Sequence, residues 1–192
     1  MIVYLTMLEI SLICIIISEK IENKTYKKIM QILSVIPWIL VSAFRWNVGT
    51  DYFYRYAPNY MEFVRGGTVE SLEPLFVLLI RICVLISKDY TILFVVTSII
   101  INTLIMVSIY KYSKDPYISV LIYFVGSFYF ESMNLVRQFI GLAILFIGYK
   151  TIFFKNKKRY LYLVYVLIAS LFHSVCAIFT VSLFLDKKVI KF

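Results

Sequence analysis

Polar residues that could do chemistry first appear between the second and third apolar runs of the chain. From residue 45 to residue 56 the sequence reads RWNVGTDYFYRY. Gly49 permits a tight turn, and Thr50 or Asp51 is suited to cap a short helix that begins there. Arg45 and Asp51 are therefore candidate site residues. The alternative is that Arg45 anchors lipid headgroups while Asp51 forms a surface ion pair with Arg55.

Three tyrosines follow at helical spacing. Tyr52, Tyr56 and Tyr60 lie four residues apart, which places them on one face of the predicted helix. Such an aromatic face suits stacking on sugar rings. The alternative is an aromatic belt at the membrane interface, where tyrosine and tryptophan are enriched, and for the aromatic residues alone the belt is the favoured interpretation.

A second polar group opens the sixth apolar segment. Asn134, Arg137, Gln138 and Gly141 have the i, i+3, i+4 and i+7 spacing that predicts one helical face. Arginine just inside a span is costly unless it faces a polar cavity or a partner, and its planar fork of donors suits phosphate. Gly141 would let a lipid or another backbone approach. The alternative is an arginine that extends to the outer interface.

His173 is the only histidine and lies in the last apolar segment. Its side chain can shuttle a proton near neutral pH, or it can bond a neighbouring helix in a purely structural role. With no second histidine and no nearby cysteine, a zinc site is not expected. Glu73 and Pro74 are typical of a helix start, so no chemistry is assigned to them.

These residues are embedded in a strongly apolar chain. Hydrophobic residues make up 61% and charged residues 16% of the sequence, whereas soluble domains carry about 25% charged residues. The net charge of +9 resides in short clusters between apolar runs, a pattern typical of membrane proteins. The composition therefore predicts an integral membrane protein and excludes a soluble nucleic-acid-binding domain.

Seven apolar segments define a single predicted all-α membrane domain over residues 1–192, with about six to eight transmembrane or half-depth helices. The first segment is interpreted as a retained span because Glu9 interrupts it and no small-residue cleavage site follows. The segments are 1–18, 29–44, 74–87, 90–110, 117–130, 135–154 and 160–185.

Basic clusters orient these segments. Placing all of them in the cytoplasm requires that 74–87, which has 14 residues and a central Arg81, does not cross the membrane but forms a re-entrant helix. It also requires that 160–185 breaks near His173. Loop 45–73 and turn 131–134 then lie outside the cell. The clusters are Lys20, Lys24, Lys27 and Lys28; Lys111 and Lys114; Lys155, Lys157, Lys158 and Arg159; and Lys187, Lys188 and Lys191.

Four short motifs, in this order and between the expected spans, resemble those of the EpsG family of bacterial exopolysaccharide proteins, which are likened to Wzy-type polysaccharide polymerases. Family members are usually longer, so the resemblance implies that this chain is a truncated product or a fragment. The motifs are Arg45-x-x-x-Gly49-Thr50-Asp51-Tyr52, Glu73-Pro74, Asn134-x-x-Arg137-Gln138 and His173-Ser174.

The resemblance implies a polymerase of repeat-unit exopolysaccharide, capsule or O-antigen in the cytoplasmic membrane. Its substrate would be a polyprenyl-diphosphate-linked oligosaccharide at the outer face, and other synthesis and export proteins would be its partners. On this hypothesis Arg137, with Arg45, stabilises the leaving diphosphate. Asp51 or His173 acts as general base for the attacking sugar hydroxyl. No metal and no cofactor are expected.

The remaining predicted site residues would bind substrate. Asn134 and Gln138 would form hydrogen bonds with sugar or diphosphate, and Tyr52 and Tyr56 would hold a sugar ring. Two alternatives from other classes are a flippase for lipid-linked glycans and a non-catalytic membrane subunit of a synthesis complex. A flippase predicts a polar lining across the membrane, whereas the polar residues of this chain gather toward one predicted face.

Overall fold

A computed structural model describes residues 1–153 and 160–184, and this part of the chain is helical with no strand. A π-helical turn (Tyr52–Tyr56) precedes α3, and two 3-10 helices (Tyr149–Phe153 and Ser174–Phe184) follow α8 and α9. The α-helices are α1 (Ile2–Lys20), α2 (Lys24–Ala43), α3 (Ala57–Val64), α4 (Pro74–Ile86), α5 (Thr91–Tyr112), α6 (Pro116–Val125), α7 (Phe128–Asn134), α8 (Val136–Gly148) and α9 (Tyr160–Phe172).

Two of the described helices, α1 and α5, are long and apolar enough to cross a membrane. Their 19 and 22 residues match the roughly 20 residues that the hydrocarbon core requires. Helix α4 has 13 residues and is about 20 Å long at about 1.5 Å per residue. That length is shorter than a full crossing requires, and the half-depth helix for 74–87 stays a prediction.

Two predicted segments are interrupted by breaks. Segment 117–130 divides into α6 and α7 because Gly126 ends α6 and Ser127 adopts a left-handed conformation with φ of 62°. Segment 160–185 breaks at His173, as its length predicted. The 3-10 helix that follows returns along α9, since Leu183 packs against the cluster that contains Tyr162.

The core forms where α2 lies between α1 and α5, with α8 on the far side of α5 and α9 against α8. Trp38 of α2 is fully buried at the centre. Its indole N–H donates to Ser11 Oγ of α1 at 2.8 Å, and its carbonyl accepts from Tyr129 Oη at 3.0 Å. Satisfying these polar atoms ties three helices together where an unpaired group would be costly.

The outward faces of the helices are apolar. On α1, Ile10, Ile13, Ile16 and Ile17 are each more than 40% exposed, and α4 and α9 carry similar exposed leucines and isoleucines. A contiguous apolar exterior of this kind suits a lipid environment and not water. Two of the predicted cytoplasmic clusters, Lys155 to Arg159 and Lys187 to Lys191, lie outside the described residues.

Candidate functional site

The predicted polar face of the sixth segment is divided by a helix break. Asn134 is the last residue of α7, and Leu135 leaves the helical conformation with φ of −91° and ψ of 50°. Arg137 then lies in the first turn of the next helix, α8. The prediction that Asn134, Arg137 and Gln138 share one helical face is therefore wrong, because spacing rules hold only within an uninterrupted helix.

Loop 45–51 binds Asn134 instead. Asn134 Oδ1 accepts hydrogen bonds from the Asp51 amide at 3.1 Å and from Thr50 Oγ1 at 3.3 Å. Gly49 makes this approach possible, because it has φ of 86° and a Cβ there would lie 2.8 Å from Asn134 Oδ1. The consecutive glycine, threonine and aspartate thus form a cradle for the end of α7.

Arg45 holds the same helix break from another side. Its guanidinium donates to Ser42 O at 2.5 Å and to Met133 O at 3.1 Å, and its Cζ lies 4.3 Å from the centre of the Phe94 ring. The residue is 7% exposed. Burial lowers the pKa of Arg45 to about 10, so the side chain stays charged at neutral pH. As placed, Arg45 positions α7 and α8 and is not open to a ligand.

The break directs Arg137 into a cluster of three charged or titratable side chains. Arg137 Nη1 donates to Glu73 Oε2 at 2.5 Å and to Ser71 O at 3.4 Å. Glu73 Oε1 lies 3.0 Å from His173 Nδ1 and accepts from the Ser174 amide at 3.2 Å. The three side chains are 9%, 16% and 21% exposed, in the order Arg137, Glu73 and His173. The cluster therefore lies just below the protein surface.

Glu73 is ionised in this setting. Partial burial opposes its charge, but the amides of Glu73 and Ser174, the charge of Arg137 and the bond to His173 hold its pKa below the usual 4.5. An ionised carboxylate can only accept hydrogen bonds, so His173 Nδ1 carries the proton in this contact. The neutral imidazole therefore has its lone pair on Nε2, which is the arrangement required of a general base.

Three helix starts surround the cluster. Glu73 N-caps α4, Arg137 lies in the first turn of α8, and Ser174 begins a 3-10 helix. Helix N-termini carry partial positive charge that favours an anionic group, whereas the full charge of Arg137 is balanced by ionised Glu73. Both hydrogen bonds that the Arg137 side chain donates among the described residues use Nη1, and its Cζ lies 6.0 Å from the centre of the Phe76 ring. Nε and Nη2 of the fork are left for a bound group.

The predicted aromatic face is buried. Tyr52 and Tyr56 are each 2% exposed, and Tyr52 stacks on Phe94 with ring centres 4.5 Å apart. As packed, neither ring offers a face to a sugar, so the prediction of an exposed stacking surface is wrong for these two residues. Burial of the whole i, i+4 stripe is what an amphipathic helix does with its apolar face. The exposed aromatic residues of the loop are Trp46, Phe53 and Tyr54, of which Trp46 and Tyr54 are the most exposed at 71% and 88%.

The other predicted residues lie apart from the cluster. Asp51 Oδ2 is 3.7 Å from Arg55 Nη1, which matches the predicted surface ion pair. Gln138 is partly buried on α8, one residue after Arg137 and hence on a different side of the helix. Gly141 faces α9, because a Cβ there would lie 3.2 Å from Ala169 O. It allows a backbone approach and not a lipid contact.

Glu73 is the site residue that the sequence analysis missed. Its place before Pro74 was fully explained by helix-start chemistry, and its partners are 64 and 100 residues away. A signal was present, since Glu73 belongs to one of the four motifs that carried the family resemblance. The structure brings all four into one connected network: loop 45–51 holds Asn134, the break directs Arg137, and Arg137 and His173 meet at Glu73.

Fold and site together define a helical protein with an apolar exterior and an Arg–Glu–His cluster where three helices meet. The chain belongs to the EpsG family, whose profile matches residues 28–192. Family membership implies a role in polysaccharide biosynthesis and points to a membrane protein. No curated protein and no solved structure matches the chain.

Proposed function

We propose that this protein is a polytopic membrane polymerase that transfers glycans from a polyprenyl-diphosphate carrier at the outer face of the cytoplasmic membrane. The observation that carries the proposal is the Arg137–Glu73–His173 cluster. It combines a cation suited to diphosphate with an oriented base suited to a sugar hydroxyl. Those are the two functions that glycosyl transfer from a diphosphate requires.

In the proposed step, a sugar hydroxyl of one lipid-linked unit attacks the anomeric carbon of another. A new glycosidic C–O bond forms, and the bond from the anomeric carbon to the diphosphate oxygen breaks. His173 Nε2 accepts the hydroxyl proton while Glu73 stabilises the resulting imidazolium. The free Nε–H and Nη2 groups of Arg137 stabilise the charge that develops on the departing diphosphate.

This proposal revises the roles expected from sequence. Arg45 and Asn134 become positioning residues, because Arg45 Nη2 donates to Met133 O and Asn134 Oδ1 accepts from the Asp51 amide. Asp51 is held beside Arg55, so His173 is favoured as the general base. A proposed acceptor glycan lies over the surface between Trp46 and Tyr54, the most exposed aromatic residues of the loop.

The test is the length distribution of surface polysaccharide in the native cell. We expect deletion of the protein to reduce the polymer to single repeat units and Arg137→Ala to fail to restore it. Arg65→Ala is the matched control, because Arg65 is an exposed arginine at the end of α3. All variants are compared at equal protein levels in the membrane.

Other outcomes would overturn the proposal. Unchanged polymer length after deletion shows that the protein does not polymerise. Accumulation of lipid-linked units on the cytoplasmic face assigns the chain to the flippase class. Full restoration by Arg137→Ala, together with loss of polymer only on deletion, assigns it to the non-catalytic subunits.

A further inference from the structure

A small polar cavity lies between α2, α5 and the α7–α8 break, behind Arg45. Its volume is about 10 Å³, measured for the centre of a water molecule, which is about the space that one water requires. Residues from all three sides line it, among them Arg45, Ser98, Asn102 and Ser132. This cavity is separate from the Arg137–Glu73–His173 cluster.

Three buried polar atoms from the lining have no hydrogen-bond partner among the described residues. They are Arg45 Nε, Ser98 Oγ and Asn102 Oδ1, on residues that are 7%, 3% and 1% exposed. A buried polar atom left unpaired costs about 1–3 kcal/mol. Three such atoms around one cavity therefore indicate a shared partner and not three independent defects.

The orientation of Asn102 decides which partner fits. Asn102 Nδ2 donates to Ser98 O at 2.9 Å and to Ser42 Oγ at 3.0 Å. Because a backbone carbonyl can only accept, the amide cannot be turned around, and its unpaired atom is an acceptor. An anion such as chloride would be repelled by that oxygen even though Arg45 Nε–H would attract it.

We propose that the cavity binds a single ordered water molecule. The water accepts a hydrogen bond from Arg45 Nε–H and donates one hydrogen to Asn102 Oδ1 and the other to Ser98 Oγ. A water molecule that accepts one hydrogen bond and donates two matches the one donor and two acceptors that are unpaired. Chloride and other simple anions cannot donate. The water completes the hydrogen bonding of Arg45, which in turn holds Met133 O at the helix break.

The water also accounts for a buried arginine without a carboxylate partner. Among the described residues no acidic side chain forms an ion pair with Arg45. A buried cation is tolerated when hydrogen bonds and dipoles replace its lost hydration. Two backbone carbonyls, the Phe94 ring and the proposed water supply them on every side of the guanidinium.

The direct test is a high-resolution crystal structure of the full chain in a lipidic phase, repeated after a bromide soak. We expect one density peak within hydrogen-bond distance of Arg45 Nε, Ser98 Oγ and Asn102 Oδ1. A cavity without density overturns the proposal. An anomalous bromide peak at the same position overturns it in favour of an anion site.

Two variants of Ser98 test the water independently of diffraction. The Ser98 hydroxyl bonds no described protein group, so Ser98→Ala leaves the protein hydrogen bonds intact and retains the water. Ser98→Val fills the cavity with methyl groups and displaces it. We expect a Tm lower by about 5 °C for Ser98→Val than for Ser98→Ala, since Arg45 and Asn102 then lose their shared partner. A Tm for Ser98→Val equal to or above that of Ser98→Ala means that the cavity is dry.

Discussion

Glu73 connects the two side chains that the proposed chemistry needs, and this dual contact explains why its protonation state matters. Its two carboxylate oxygens are divided between Arg137 and His173. Were Glu73 protonated, the cluster would hold a buried arginine without a counter-charge, and His173 would lose the acceptor that fixes its tautomer. Breaking a buried ion pair by losing one charge costs about 3–5 kcal/mol, and the partial exposure of this cluster reduces that figure.

The lowered pKa of Glu73 leads to a prediction about stability and pH. Because the pKa of Glu73 is lower in the folded protein than its usual 4.5, ionised Glu73 stabilises the fold above about pH 4.5. That contribution is lost as the pH falls through the folded pKa. We expect the Tm in detergent to drop below pH 4.5 in the wild type and to change much less over that range in Glu73→Gln.

Glu62→Gln is the control for the pH experiment, because Glu62 lies exposed on α3 and should leave the pH profile unchanged. Equal profiles for wild type and Glu73→Gln would show that the carboxylate does not stabilise the cluster.

At the scale of the elements, the α7–α8 break is held by contacts from a distant loop. Gly49 approaches Asn134 so closely that any side chain there meets backbone and side-chain atoms at about 3 Å. Gly49→Ala therefore adds two costs, a left-handed alanine at about 1–2 kcal/mol and a steric clash at about 1–3 kcal/mol. We expect it to lower stability and, by moving Arg137, to shorten or abolish the polymer.

Gly66→Ala separates these two costs. Gly66 has the same φ of 86° as Gly49, but a Cβ there meets no atom within 4 Å. It should therefore show the backbone cost alone, with normal polymer. Similar losses of stability for the two variants would show that the contact with Asn134 is not tight. Stability is measured as Tm in detergent, and polymer length by the assay described for Arg137→Ala.

The same helix break shows what could be predicted from sequence. Helix α5 was predicted at 90–110 and observed at Thr91–Tyr112, because a long apolar run contains its own signal. The turn predicted at 131–134 lies instead at Leu135, because α7 continues to Asn134. Its position depends on loop 45–51, which bonds Asn134 from 83 and 84 residues away, and that contact gives no signal in the sequence. Arg137 and His173 were recognised as candidates by type, whereas their meeting at Glu73 depends on tertiary structure.

At the scale of the whole molecule, both ends of α4 contact elements that the predicted topology places outside the cell. Glu73, before its first residue, bonds Arg137 and His173. Ser87, after its last, accepts a hydrogen bond through its carbonyl from Tyr60 of α3 at 2.6 Å. If α3 lies wholly at the outer face, as the predicted topology has it, α4 begins and ends on that face and does not cross the membrane. These contacts support the prediction that α4 is re-entrant and that Glu73 opens to the outer surface.

Cysteine labelling distinguishes a re-entrant α4 from a crossing one at a single position. Lys88 follows α4 directly, so in a variant without native cysteines we expect Lys88→Cys to react with a membrane-impermeant maleimide added outside intact cells. Tyr54→Cys, 88% exposed in the outer loop, should react equally under either topology, and Lys114→Cys should react only after the cells are opened.

Labelling of Lys88→Cys only in opened cells would mean that α4 crosses. The odd number of crossings would then place Lys111 and Lys114 outside, against the charge distribution of the chain.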